Sequence, residues 1–63
     1  MKEKIRHLIA EKIIEQGQIK IRMRNLAVVE KLSEEVQNYF LDRLRNLDED
    51  IETLKKILKQ LDQ

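Results

Sequence analysis

Apolar residues recur at helical spacing along most of the chain, most regularly in its C-terminal half. Steps of four and three residues connect seven positions there, namely Phe40, Leu44, Leu47, Ile51, Leu54, Leu58 and Leu61. Apolar side chains restricted to two positions in seven form a narrow stripe that is typical of a coiled-coil seam. We predict that this seam packs on another helix and favour self-association with a second copy of the chain. An intramolecular hairpin with residues 5–14 is the alternative.

A first helix is predicted over residues 2–16. Ile5, Ile9 and Ile13 lie at helical spacing there, and charged side chains occupy the opposite face. Gly17 is expected to end this helix, because glycine adopts the left-handed conformation of a helix C-terminus at the lowest cost.

The next segment has a different period. Apolar and basic side chains alternate strictly in the order Ile19, Lys20, Ile21, Arg22, Met23, Arg24. This is the pattern of a half-buried strand. An isolated strand leaves backbone groups unpaired, so a strand here would require its twin in a dimer. We favour a helix or an extended connector and assign residues 17–25 to a connector.

The chain from Leu26 onward is predicted to be helical, as one helix or as two. Asp48 is a good N-cap residue, and Asn46 followed by Glu49 resembles a capping box. The heptad pattern passes through this point undisturbed, which favours one helix. We assign two helices, residues 26–46 and 49–61.

The fold class predicted from these elements is all-α. We expect a small helical bundle with two to three helices per chain, completed by homodimerisation. The 63 residues include no cysteine, no proline and one glycine, and 40% of them are charged. A three-helix monomer of this size has little core, and its net stability is expected to be near zero.

Charge is distributed unevenly along the chain. Residues 1–31 carry a net charge of +4, and residues 32–63 carry −3. The two halves are therefore expected to attract each other, either within one chain or between antiparallel chains.

Residues that could support catalysis are few. The hydroxyl side chains are Ser33, Tyr39 and Thr53, and the single histidine is His7. Ser33 precedes two glutamates and is better explained as the start of a helix than as a nucleophile. Nothing in the sequence positions a nucleophile beside a base, so we expect no enzymatic activity, no cofactor and no small-molecule substrate.

A metal site is the alternative role for the histidine. Glu3, His7 and Glu11 share one helix face, but a solvated face explains this spacing better, and we assign no metal. The chain has no apolar run as long as a signal sequence or a membrane span, so we expect a cytoplasmic protein without a membrane contact.

The basic residues of the alternating segment suggest a second kind of partner. On a strand, Lys20, Arg22 and Arg24 would project to one side, and a two-stranded ribbon can enter the major groove of DNA. The segment resembles the ribbon-helix-helix repressors, in which a short strand precedes two helices and pairs with its twin. The likeness covers Gln18–Met23 and the helical sequence after it, although a long helix precedes the strand here. It implies a dimeric DNA-binding regulator.

These observations predict a non-enzymatic helical protein–protein interaction module, such as a homodimeric regulator, inhibitor or assembly subunit that contacts another protein. The alternative is a small dimeric DNA-binding regulator that uses residues 18–24. A third hypothesis is an enzyme that binds a small anion through Arg22 or Arg24.

Overall fold

The computed structural model describes residues 1–62 as an antiparallel hairpin of two long helices. Helix α1 comprises Lys2–Val28 and helix α2 comprises Glu34–Leu61, and a short turn joins them. The hairpin extends over 49 × 15 × 10 Å. The all-α class is therefore confirmed, with two helices and no strand in the described part of the chain.

The assignment of residues 17–25 to a connector is wrong and the helical alternative is confirmed, because α1 runs through this segment without interruption. Its strand-like alternation arises from a helix that is apolar on two opposite sides. Ile19 and Met23 face α2, whereas Ile21 points away from it and is 61% exposed. Gly17 does not end the helix either and instead lies in its interior, where glycine costs about 1 kcal/mol relative to alanine.

The predicted break near residues 46–48 is also wrong, because α2 is continuous there. Asp48 does not cap a helix but accepts a hydrogen bond from the Gln16 side chain on α1, at 2.6 Å. Leu47 beside it is completely buried. Packing of the uninterrupted heptad thus outweighs a local sequence signal for capping.

Helix α1 ends in a Schellman motif that lacks the usual glycine. The Lys31 amide donates to the Leu26 carbonyl at 2.8 Å, and the Glu30 amide donates to the Ala27 carbonyl at 3.1 Å. Glu30 occupies the left-handed position with a φ of 59°. The predicted helix start at Leu26 is therefore wrong, since this residue belongs to the last turns of α1.

Replacing Glu30 with glycine is expected to stabilise the hairpin by up to about 1 kcal/mol, because a left-handed conformation strains any residue that has a Cβ. Urea denaturation followed by circular dichroism would measure the gain. Lys31→Gly is the matched control, because Lys31 has no positive φ, and it should not stabilise. An unchanged or lower midpoint for Glu30→Gly would contradict the strain.

Helix α2 begins as its sequence indicates. The Ser33 hydroxyl accepts a hydrogen bond from the Val36 amide at 3.2 Å, which confirms Ser33 as a helix-start residue. Glu34 and Glu35 lie in the first turn, where the positive end of the helix dipole favours acidic side chains.

The core lies along the line of contact between the two helices. Within residues 1–62, five side chains are buried, Ile5 and Ile19 on α1 and Phe40, Leu47 and Ile51 on α2. Half-buried apolar residues extend this line in both directions, among them Met23 and Leu44. The observed arrangement is therefore the intramolecular hairpin, in which the seam of α2 packs on α1 of the same chain.

Polar contacts border the core and join the two helices along their length. They link Lys2 to Asp62 (2.7 Å), Lys12 to Asp50 (3.4 Å), Glu15 to Arg43 (2.7 Å) and Gln16 to Asp48 (2.6 Å). Two of these ion pairs, Lys2–Asp62 and Lys12–Asp50, join the basic half to the acidic half within the chain as expected, whereas Glu15–Arg43 has the opposite polarity.

The contact at the open end of the hairpin depends on pH. The hydrogen bond from Lys2 lowers the pKa of Asp62 below its ordinary value. A lowered pKa stabilises the folded state above the ordinary pKa of the carboxyl group, and the contribution is lost as pH falls through the lowered value. Both side chains are well exposed, so salt screens this contact.

Candidate functional site

The side of α1 that faces away from α2 carries a second apolar stripe. We call it the outer stripe, and its members are Ala10, Ile14, Gly17, Ile21 and Val28. Ile21 is about 200° from Ile19 around the helix axis, so the outer stripe lies opposite the core. All of its members are exposed, Ile14 by 59% and Ile21 by 61%.

The outer stripe is also free of charge. The uncharged amides Gln18 and Asn25 form one of its edges, and the cation Arg24 lies on the other edge. Covering an isoleucine side chain completely is worth roughly 1.5–3 kcal/mol. A contiguous apolar stripe with a polar rim is typical of a protein–protein contact surface.

A shallow groove lies where α1 meets α2, and a neighbouring depression on α1 connects it to the outer stripe. Tyr39 and Phe40 stand on its α2 wall in an edge-to-face arrangement, with ring centroids 5.7 Å apart. Gln18 and Arg22 line both this groove and a neighbouring depression that reaches Ile21. Tyr39, which is 68% exposed, and the outer stripe therefore belong to one continuous surface.

The groove is small for a ligand site. Its volume is about 170 Å³ and that of the neighbouring depression is about 380 Å³, below or near the lower end of the roughly 300–1,000 Å³ typical of small-molecule sites. Arg43 on the wall of the groove is paired with Glu15 at 2.7 Å, so the positive charge of Arg43 is partly neutralised. The arrangement fits a helix laid along the surface better than an anion held between the two helices.

The basic residues that were candidates for contact with nucleic acid lie on α1. Successive members of Lys20, Arg22 and Arg24 are about 200° apart on a helix, so Arg22 projects away from the other two. The prediction that these three cations project to one side of a strand is therefore wrong, because the segment is helical. Contact of these residues with nucleic acid by another arrangement stays a prediction.

Comparison with known proteins identifies no relative. No protein-family model, curated protein or solved structure matches the chain. The outer stripe and the adjoining groove are therefore the features that bear on function.

The few residues with catalytic potential are dispersed over the hairpin. His7 pairs with Glu11 at 2.9 Å near the start of α1, whereas Ser33 caps α2 at the other end. About 30 Å of helix separates the position of His7 from the end of α1. Within residues 1–62, no three histidine or acidic side chains are grouped to hold a metal ion. Neither helix there is long and apolar enough to cross a membrane.

The residues assigned to self-association lie in the core of the hairpin. Phe40, Leu47 and Ile51 are buried, Leu44, Leu54 and Leu58 are half-buried, and Leu61 is 40% exposed. They pack on α1 of the same chain, and their role between copies stays a prediction. The outer stripe is the surface that sequence reasoning missed. A second seven-residue repeat, Ile14, Ile21 and Val28, was the signal that could have revealed it.

Proposed function

We propose that this chain is a non-enzymatic helical protein–protein interaction module that acts as a homodimer in the cytoplasm. The observation that carries the proposal is that α1 is apolar on two opposite sides and α2 covers only one of them. An amphipathic surface helix needs a single apolar stripe, which faces its core. The second stripe therefore supports a second helical partner.

The exposed area of the hairpin supports the same proposal. The chain exposes 5279 Å², whereas a folded monomer of its mass is expected to expose about 4,300 Å². The excess is about 1,000 Å². The elongated shape of the hairpin produces this excess, and it is comparable to the area of about 800 Å² that each partner buries in a stable interface.

The small core supports association with a second copy in particular. Five side chains are buried in the described part of the hairpin, and folding of domains this small is marginal. A second copy adds buried apolar area on both chains without requiring any further segment to become ordered. Such a dimer would act as a regulator, an inhibitor or an assembly subunit, with the outer surface of α2 left to contact another protein.

Sedimentation equilibrium at micromolar concentrations tests the homodimer. We expect twice the chain mass of 7.6 kDa, with dissociation only on strong dilution. A mass of 7.6 kDa across the whole concentration range would overturn the homodimer.

A further inference from the structure

We infer that the second copy packs antiparallel on the outer stripe, with α1 against α1 and the two-fold axis beside Gly17 and Gln18. This inference rests on the proposed homodimer and specifies its interface. Four observations support it: the order of residues in the stripe, the position of the glycine, the distribution of charge and the excess of exposed area.

The centre of the outer stripe, from Ile14 to Ile21, is complementary to its own reversal. A two-fold interface places the same patch of both subunits in contact, so the patch must fit itself. A two-fold axis between Gly17 and Gln18 places Ile14 of each copy opposite Ile21 of the other copy, so the dimer contains two such pairs. The same reversal places the small Ala10 opposite the amide Asn25, and Val28 opposite His7. The two largest apolar side chains of the stripe thus meet on both sides of the axis.

Gly17 lies at the centre of this arrangement. A Cβ atom on Gly17 would meet nothing within 4 Å, so nothing in the hairpin requires a glycine there. Glycine is the poorest helix former except for proline, and its helical φ is one that any residue can adopt. Close approach of a second backbone supplies a reason for glycine at this position.

The charges of α1 favour the antiparallel orientation. A parallel pair would place the basic segment 20–24 beside the same segment of the other copy, and like charges repel. The antiparallel pair instead places segment 20–24 beside segment 11–15, whose net charge of −1 comes from Glu11, Lys12 and Glu15. Oppositely charged groups across an interface select the orientation and the register of the pair.

Cysteine cross-linking tests this geometry, because the chain has no cysteine of its own. A disulfide requires Cα atoms within about 7 Å of each other. The Gln18→Cys variant is therefore expected to form a covalent dimer alone. Ala10→Cys and Asn25→Cys, about 22 Å apart along α1, are each expected to stay monomeric in denaturing gels and to cross-link with each other when mixed. Gln37→Cys on α2 is the control that should not cross-link.

The possible outcomes separate this inference from the proposed function. Rapid cross-linking of Ala10→Cys or Asn25→Cys with itself would show a parallel pair and overturn the antiparallel interface. If each variant sediments as a dimer, but neither Gln18→Cys nor the mixture forms a cross-link, the interface lies on another surface. The homodimer itself would then be retained. Sedimentation of the unmodified chain as a monomer would overturn both proposals.

Discussion

Replacing Leu47 with aspartate is expected to unfold the hairpin. Leu47 is 0% exposed and packs in the same cluster as Ile19 and Phe40. Removing a buried leucine side chain alone costs about 2–5 kcal/mol, and burying an unpaired carboxylate adds to that cost. A chain of this length has a total stability of roughly 3–9 kcal/mol. The helical circular dichroism signal and the cooperative thermal transition should both be lost.

The matched control for this variant is Leu41→Asp. Leu41 lies on the same helix and is 47% exposed, so the same change of residue should leave the thermal transition nearly in place. A Leu47→Asp variant that still melts cooperatively from a helical state would show that the line of contact between α1 and α2 is placed incorrectly.

Replacing both Ile14 and Ile21 with glutamate is expected to weaken dimerisation by at least about a thousandfold. Each side chain contributes roughly 1.5–3 kcal/mol when it is covered, and two-fold symmetry removes four of them from each dimer. Every 1.4 kcal/mol changes an affinity about tenfold. Sedimentation equilibrium of this variant should give the mass of one chain at concentrations where the unmodified protein is dimeric.

Two further variants separate dissociation from unfolding. The combination of Ile14→Ala and Ile21→Ala also removes apolar contact area, but alanine is the best helix former, so the hairpin keeps its helical propensity. It should associate more weakly and remain helical. Leu41→Glu combined with Ile57→Glu adds the same charge to exposed positions of α2 and should leave dimerisation intact. Equal effects of the α1 and α2 pairs would refute a specific role for the outer stripe.

The sequence predicts the packing face of α2 well, because almost every position of that face is apolar. Phe40 to Leu58 repeat without a polar interruption, so periodicity alone locates the side chains that pack inward. The packing face of α1 has the same spacing but contains Lys12 and Gln16 between Ile9 and Ile19. These polar residues hide the repeat, and only the partner helix shows that they belong to it.

The helix boundaries could not be predicted because local signals for capping compete with packing. Gly17 and Asp48 are good residues for ending and starting a helix, yet each lies in the interior of one. The real turn, by contrast, has Glu30 where glycine is preferred. In both helices the burial of a continuous face outweighs preferences of about 1 kcal/mol. The outer stripe was missed because its isoleucines interleave with those of the core.

The polar pair in the packing face of α1 has a consequence for how the two helices align. A repeat of seven would allow α1 to slide along α2 by one heptad, or about 10 Å, with apolar residues still in contact. Such a shift would separate Lys12 from Asp50 and Gln16 from Asp48, and it would place these polar side chains against apolar neighbours. The interruption thus marks the middle of the hairpin, so that two otherwise uniform helices have one alignment in which both Lys12 and Gln16 reach their partners.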